Sequence, residues 1–435
     1  MIFESSKEKF IFYSFPTILF SLIPFFLILG PLFADFSVSL ISLLFLIYCF
    51  KNKNFSYFNN KYFFFFIFFW VYLIFNSLIN NFNLDSLKIS FFYFRYGVFV
   101  VAVSIFLDED NKFIKYFFYC IFTCFTVLVL DGFYEYFVGE NILGREISGS
   151  RVSSFFGEEK ILGSYLSRLW PIFFGLSTIF FKKKNKLFYL LILIFILSEA
   201  LIFLSGDRTA FFYINLSAIF VILFSHKLFK LRLMTLVMSI LLLVIISFIN
   251  PTAKERVFDK TLKQMNLYQT NLNDESNQEG INIFTKMHTH HYITAFRMFL
   301  DNNILGVGVK NFRNFCTEKK YVFSRSWLSD KNNIKLSCSS HPHNSYLQIL
   351  SETGIIGFAF LIIILFYFCK SILTHLFFKF KHKHYFNDFE ICILSGILIY
   401  LWPIIPTGNV FNNWLNIIMI LNLPFLIWSR KSFKL

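Results

Sequence analysis

The sequence predicts an all-α protein that crosses a membrane many times. Of its 435 residues, 56% are hydrophobic and 22% are aromatic. Only 15% carry a charge, whereas soluble domains carry about 25%. Mean hydropathy is +0.59. These values exclude a soluble protein, a disordered chain and a small disulfide-rich scaffold, because water would not tolerate so much apolar surface.

A transmembrane helix needs about 20 apolar residues, and apolar runs of this length recur along the chain. They predict about twelve transmembrane helices, an even number that puts both termini on one side. Nine spans fall in residues 1–249, a long loop follows at 250–344, and three spans fall in 345–435. The predicted spans lie near residues 11–30, 34–50, 62–80, 89–107, 113–138, 163–181, 187–205, 209–225, 231–249, 348–369, 389–407 and 411–429.

Lysine and arginine in the short loops orient the chain. Most of them share the side of the N-terminus, and this excess is typical of the cytoplasmic face. We therefore expect cytoplasmic termini, with the first span retained because it lacks a clear cleavage site. Residues 250–344 then lie outside. We expect helices there at 285–300 and 309–318, and a flexible polar stretch at 271–280.

Arginine is distributed differently from lysine. Only Arg232 and Arg430 fall on the cytoplasmic side, and the net charge of +15 is dispersed across both faces, which argues against a nucleic-acid partner. A guanidinium group binds two phosphate oxygens at once through parallel N–H groups, and it keeps its charge. The outer arginines therefore indicate a diphosphate site. Arg145, Arg256 and Arg325 are interpreted as solvated loop residues. The full outer set is Arg95, Arg145, Arg151, Arg168, Arg208, Arg256, Arg297, Arg313 and Arg325.

Charged side chains within the predicted spans indicate a polar cavity that opens on the outer side. Arg95 and Arg168 lie in apolar spans, where a charge costs at least about 2.5 kcal/mol and needs a partner or a cavity. Asp131, Glu135 and Glu199 lie at a similar predicted depth. We expect spans four to seven to line the cavity. The alternative is that either arginine forms a structural ion pair with Asp131 or Glu199.

Two arginines stand on outer turns between spans. Arg151 lies in GSRVSSFFGEE before span six, and Arg208 lies in SGDRTAFF between spans seven and eight. A short turn fixes the side chain, so each can hold an anionic head group. The alternative for Arg208 is that it caps the carbonyl end of the preceding helix.

The sequence HPHNSYLQILSETGIIGF, which begins at His341, joins the outer loop to span ten. Pro342 is expected to hold His341 and His343 in an extended geometry at the membrane surface. A histidine there can act as a general base near neutral pH, with His343 the first candidate and His341 the second. Asn344 is expected to orient the ring, and Glu352 to support it from within the helix.

The outer loop also offers metal ligands and a disulfide. His288, His290 and His291 add to the two later histidines, but their spacing fits no standard zinc pattern, so no metal is expected. Cys316 and Cys338 are the only cysteines of this loop. In an oxidising compartment they are expected to form a disulfide.

Four segments resemble the bacterial O-antigen ligase and O-antigen polymerase superfamily of membrane glycosyltransferases. They are RVSSFFGEEKILGSYL from Arg151, SGDRTAFF from Ser205, FRMFLDNNILGVGVKNF from Phe296 and the His341 segment. Glu158 and Glu159 depart from the Asn-containing pair that members often carry there. The resemblance covers most of residues 90–410. It implies a metal-independent, inverting enzyme of the bacterial inner membrane, without a cofactor, whose site faces the periplasm.

The resemblance also implies the substrates. A ligase transfers an undecaprenyl diphosphate-linked glycan to lipid A-core in lipopolysaccharide biosynthesis, while a polymerase transfers it to another lipid-linked repeat unit. A lipid or glycan transporter is a lower-ranked alternative, because no internal repeat and no Gly/Pro-broken span near the midplane is evident. The base is expected to be His343 or His341. The diphosphate is expected on Arg151, Arg208 and Arg297, followed by Arg95 and Arg168.

Overall fold

The computed structural model describes the chain except residues 2, 4, 81–82, 111, 148, 150, 181–185, 250, 266–282, 325–328, 384 and 433–435. Arg325 and the predicted polar stretch 271–280 lie outside the described residues. The described part is helical and contains no β-strand, apart from one isolated bridge between Glu140 and Glu146. The predicted all-α class is confirmed.

The principal helices are numbered here in chain order. They are α1 (Ser6–Leu29), α2 (Pro31–Lys51), α3 (Lys61–Ile79), α4 (Leu84–Glu109), α5 (Lys112–Val138), α6 (Leu162–Phe180), α7 (Lys186–Leu204), α8 (Arg208–Phe224), α9 (Phe229–Ile249), α10 (Lys286–Asp301), α11 (Phe312–Phe315), α12 (Asp330–Ser337), α13 (Ser345–Phe380), α14 (Asp388–Leu401) and α15 (Asn413–Ser432). Within the described residues, eight helices are long and apolar enough to cross a membrane: α1 to α5, α7, α9 and α13.

The other four predicted spans are helices as well, but they fall short in length or composition. Helix α8 has 17 residues and α14 has 14. Helices α6 and α15 mix serine, arginine or asparagine with their apolar residues. Most of α6 is buried, because it packs against α14, α8, α7 and α5. The count of twelve spans therefore stays a prediction.

A buried ion pair joins α7 to α9. The Arg232 guanidinium donates to Glu199 Oε1 at 2.5 Å and lies 4.2 Å from the ring centroid of Trp170. Arg232 is 0% exposed. Arg232, which the sequence puts at the cytoplasmic end of the span predicted near 231–249, is the fourth residue of α9, which begins at Phe229. Glu199 does not line an outer cavity or pair with Arg95 or Arg168, since Arg232 neutralises it.

Two carboxylates on α5 hold the following loop instead of lining a cavity. Both oxygens of Glu135 accept from the Ser153 backbone N–H at 3.1 Å, and the Ser154 backbone N–H also donates to this carboxylate. Asp131 accepts from the Ile142 N–H at 2.9 Å and from the Ser154 hydroxyl. Neither carboxylate pairs with an arginine in the described part of the chain. The predicted role of these two residues in an outward cavity was wrong.

Helix α13 is interrupted at Gly354, which has φ 63 and ψ −167. The interruption frees the carbonyls of Ser351 and Glu352, which accept from the N–H groups of Val307 and Gly308 at 2.8 and 2.9 Å. The break lies six residues into the span predicted near 348–369, nearer to its predicted outer end than to its inner end. The break docks the loop against α13, because backbone bonds replace those of the helix.

The described residues of the segment 250–344 cover one end of the bundle, called the loop end below. Helix α10 begins after its N-cap Thr285, as predicted. The predicted helix 309–318 is reduced to α11, because the N–H groups of Lys310 and Phe312 donate to the Glu352 side chain. Helix α12 was not predicted. A separate apolar cluster stabilises this region: Ala295, Met298, Val307, Phe312, Cys316 and Tyr321.

Candidate functional site

Four histidines bring their rings together at the loop end. The ring centroid of His343 lies 4.1 Å from that of His341, 5.3 Å from that of His291 and 5.6 Å from that of His288. We call these four residues the histidine cluster. Two segments about 50 residues apart, the start of α10 and the approach to α13, thus converge on one point.

The N-terminus of α10 positions two of these rings. The Thr285 hydroxyl accepts from the His288 backbone N–H at 3.3 Å and lies 3.0 Å from His288 Nδ1. His288 and His291 are three residues apart, so they share one face of the helix. Neither residue was predicted to belong to the site, and both were considered only as zinc ligands. No group of three or more His, Cys, Asp or Glu within the described residues is arranged to hold a metal ion.

A left-handed turn positions the third ring. His343 has φ 58, a conformation that non-glycine residues seldom adopt and that is found at functional sites. The extended geometry predicted for His343 was therefore wrong, because the chain must turn here to enter α13. The next residue, Asn344, caps α13 by accepting from the N–H groups of Tyr346 and Leu347, both at 3.0 Å.

The His343 backbone is anchored while its ring is free to act. Its carbonyl accepts from the Thr407 N–H at 2.8 Å and from the Tyr292 hydroxyl at 3.4 Å. The half-buried ring makes no hydrogen bond within the described residues. Burial lowers the pKa of His343 below its ordinary value of 6.5. The imidazole is therefore neutral at pH 7 and holds an available lone pair.

His341 differs because both of its ring nitrogens are engaged. Nε2 lies 3.3 Å from the Thr407 carbonyl oxygen, and Nδ1 lies 2.9 Å from the Ser340 hydroxyl. A carbonyl only accepts, so Nε2 carries the proton and Nδ1 receives the hydroxyl hydrogen. Burial, followed by the charge of His343, lowers the pKa of His341 to about 3. His341 is thus a neutral residue with no spare lone pair, which favours His343 as the base.

Three arginines surround the turn between α7 and α8. Arg151 Nε donates to the Ser205 carbonyl at 2.8 Å, and Arg256 Nε donates to the Gly206 carbonyl at 3.2 Å. Arg208 Nε donates to the Arg256 carbonyl at 3.1 Å. We call these three the arginine cluster. Burial and the charge of Arg256 lower the pKa of Arg151, and the nearby Asp207 partly opposes them.

These contacts revise two expectations about the arginines. Arg208 does not cap the end of α7, because Arg151 and Arg256 occupy the carbonyls at that position. Arg256 is half-buried rather than a solvated loop residue. The sequence offered no local signal for Arg256, since its position depends on residues 251–264 folding back over the turn.

The two clusters are electrostatic neighbours. Burial lowers the pKa of His288 to about 4, and the charges of His343 and then Arg208 contribute to the shift. Arg208 thus lies close enough to influence a ring that itself approaches His343. The charge of Arg208 therefore reaches the histidine cluster.

Arg168, on α6, is a buried cation. It is 4% exposed, and its guanidinium lies 4.8 Å from the ring centroids of both Tyr213 and Tyr400. Its Nε donates to the Ser164 hydroxyl at 3.1 Å. It forms no ion pair within the described residues. Burial, and to a smaller extent Tyr213, raises the pKa of Tyr292, whose hydroxyl donates to the His343 carbonyl.

The structure does not bring Arg95 and Arg297 to the arginine cluster. Arg95 pairs with Asp35 at 2.7 Å. Arg297 donates to the Val322 carbonyl at 2.6 Å and lies over the Phe323 ring. The guanidinium of Arg297 therefore holds the outer loop together.

The side chains of Asn344 and Glu352 form hydrogen bonds with backbone groups rather than with a histidine ring. Asn344 Nδ2 donates to the Pro403 carbonyl at 2.7 Å. Glu352 is 0% exposed and accepts from the Lys310 and Phe312 N–H groups and from Gln348 Nε2. Neither contacts an imidazole in the part of the chain that the structure describes. The predicted orienting roles are replaced by anchoring of the loop to α13.

A disulfide stabilises the approach to the histidine cluster. Cys316 at the end of α11 and Cys338 at the end of α12 are bonded, with Cα atoms 4.9 Å apart. They are the pair that the sequence suggested. The bond holds the segment that leads into His341 against the loop core.

Comparison with known families agrees with this arrangement. Residues 190–362 match the family model described as O-antigen ligase. The match covers 173 of the 435 residues and supports a likeness to the O-antigen ligase and polymerase superfamily. No curated protein matches it. The matched segment contains the whole histidine cluster together with Arg208 and Arg256, whereas Arg151 and Arg168 precede it. The match and the apolar helices together indicate a multi-pass membrane protein that contains a segment similar to O-antigen ligases.

Proposed function

We propose that this protein is an O-antigen ligase of the bacterial inner membrane. It transfers a glycan from undecaprenyl diphosphate to a hydroxyl of lipid A-core at a site facing the periplasm. The observation that carries the proposal is the neutral ring of His343, which makes no hydrogen bond within the described residues and belongs to a histidine cluster that the charge of Arg208 reaches. A transferase that uses a lipid diphosphate needs both a base and fixed positive charge.

The reaction is a single displacement. The acceptor O–H bond breaks and its proton passes to the His343 ring, while the acceptor oxygen bonds to the anomeric carbon of the donor. The bond from that carbon to the diphosphate oxygen breaks, and the diphosphate leaves with the electron pair. Because attack occurs opposite the leaving group, the anomeric configuration inverts.

The arginine cluster stabilises the leaving diphosphate. Within the described residues, backbone and side-chain contacts use the Nε of Arg151, Arg208 and Arg256 and one further nitrogen of the first two. Other N–H groups of all three remain for phosphate oxygens. Preorganised cations of this kind stabilise developing charge without reorganising, so no metal ion is required in this proposal.

Arg168 supplies positive charge at the membrane side of the site. Its lack of an acidic partner in the described residues means that a phosphate can neutralise it. The neighbouring aromatic rings hold the guanidinium without consuming its charge. We therefore assign Arg168 to the diphosphate or to the first atoms of its lipid tail.

Deleting the gene and analysing the glycolipids of the host tests the proposal. A ligase deletion leaves lipid A-core without polymer, while lipid-linked polymer accumulates. Core that carries a single repeat unit would instead identify an O-antigen polymerase. Loss of all periplasmic lipid-linked glycan would favour a transporter. Complementation with His343→Gln should fail, and complementation with the wild-type gene should restore the polymer.

A further inference from the structure

A polar cavity of about 260 Å³ lies between α2, α4 and α15. These three helices begin at the loop end of the bundle, and the cavity shares no residue with the histidine or arginine clusters. Its polar lining consists chiefly of Asp35, Lys88, Arg95, Tyr96, Asn413 and Asn416. The site described above leaves this cavity without a role.

Arg95 is fixed in the wall of the cavity. Its Nε and one terminal nitrogen both donate to Asp35 Oδ1, at 3.1 and 2.7 Å. Its other terminal nitrogen donates to the Phe92 carbonyl at 2.7 Å, near the break in α4 at Tyr93. Asp35 Oδ2 accepts no hydrogen bond from the described residues. The ion pair is therefore rigid, but one carboxylate oxygen of Asp35 still lacks a hydrogen-bond donor among the described residues.

Hydrogen-bond donors outnumber acceptors on the remaining wall. Asn413 Oδ1 accepts from the Tyr96 hydroxyl at 3.2 Å, and Asn416 Oδ1 accepts from the Tyr93 hydroxyl at 3.5 Å. Each amide oxygen is thus occupied, and within the described residues each N–H₂ group remains available as a donor. Lys88 is exposed and forms no ion pair in the described part of the chain. With Arg95 and Asp35 neutralising each other, Lys88 leaves the cavity with one net positive charge.

We infer that this cavity binds the phosphate of a lipid head group. A tetrahedral oxyanion fits a donor-rich pocket with one surplus cation, and basic pockets between transmembrane helices bind lipid head groups. Exposed apolar side chains continue from Asp35 and Ser39 along the same face of α2, away from the loop end: Leu43 is 54% exposed and Ile47 43%. Acyl chains can lie along this surface while the phosphate contacts Lys88, Asn413 and Asn416.

Native mass spectrometry of the delipidated full-length protein tests the inference. The probes are phosphatidylglycerol, lipid A and a diacylglycerol with matched acyl chains. We expect the two phosphate-bearing lipids to bind more tightly than diacylglycerol. Lys88→Gln should weaken phosphatidylglycerol binding about fivefold, the factor expected for one basic residue at a membrane surface. Asp35→Asn should strengthen it, because this change removes the carboxylate that opposes the phosphate.

The matched control is Lys331→Gln, an exposed lysine on α12 outside the cavity. It should bind all three lipids as the wild type does. Preference for lipid A would identify the phosphate of a glycolipid, and equal binding of both phosphate-bearing lipids would identify a bilayer phospholipid. Equal binding of diacylglycerol, or unchanged binding by Lys88→Gln, would overturn the inference. These readouts do not require glycan transfer, so they stand apart from the proposed activity.

Discussion

His341 and His343 have ring centroids 4.1 Å apart, yet only the His341 ring is hydrogen-bonded within the described residues. The backbone of Thr407 contributes to this difference. Its carbonyl contacts the ring of His341, and its N–H donates to the carbonyl of His343. One loop residue thereby occupies the first imidazole and fixes the backbone of the second. The adjacent histidines therefore have separate roles.

The pH dependence of transfer should follow the neutral form of His343. Burial lowers its pKa below 6.5, so the base is already deprotonated at pH 7. We expect a rate that is flat above about pH 6.5 and falls as the pH drops and the ring gains a proton. Single-turnover rates between pH 4 and 9 measure this profile. A rate that keeps rising between pH 7 and 9 would contradict it.

Arg256→Ala should reduce transfer about 100-fold, because it removes one fixed cation from the arginine cluster. Arg145→Ala is the control, since Arg145 is an exposed arginine of another loop. Steady-state kinetics with the lipid diphosphate donor measure both variants. Equal activity of the two would show that Arg256 only caps the end of α7.

Gly354→Ala should destabilise the docking of the loop on α13. An added Cβ would lie 2.2 Å from the Ile304 carbonyl oxygen, at a position with φ 63. The matched control is Gly144→Ala, where φ is 73 and no atom lies within 4 Å. Both variants carry the backbone strain, but only the first carries the steric clash. Thermal unfolding should show a clearly lower Tm for Gly354→Ala, and similar Tm values would contradict the observed contact.

Replacing both Cys316 and Cys338 with serine should destabilise the loop. The disulfide closes a segment with a sequence separation of 22, and loop-closure entropy then corresponds to about 3 kcal/mol. Hydrogen exchange of α12 and the segment before His341 should quicken, while exchange in α6 should not change. Unchanged protection of the loop would show that the apolar cluster alone stabilises it.

The fold was largely predictable because membrane helices are long and apolar. Hydropathy located a helix in each predicted span, including α6, which is less apolar because the bundle buries it. Local patterns did not reveal the break at Gly354, since that break depends on backbone contacts with residues 303–308. The burial of Arg232 was not predictable for a related reason. Its burial depends on Glu199 of another helix, which no local window contains.

The candidate site was predictable where its residues lie in compact motifs. His343, Arg151 and Arg208 were singled out in this way, and the structure places them at the loop end. His288 and His291 reach the site through the docking of α10, and Arg256 through the folding of residues 251–264. Arg297 lies on α10 as well, but its guanidinium contacts the loop interior. A helix presents different faces to different partners, and spacing alone does not identify the face that meets the site.

Transfer by purified protein tests the central claim most directly. The donor is a synthetic undecaprenyl diphosphate glycan, the acceptor is lipid A-core, and wild type is compared with His343→Gln and His341→Gln. Loss of the general base should lower the rate of His343→Gln by about 100-fold to 10,000-fold. His341→Gln should retain much more activity, because that ring has no free lone pair. Full transfer by His343→Gln, or equal loss in both variants, would contradict the account.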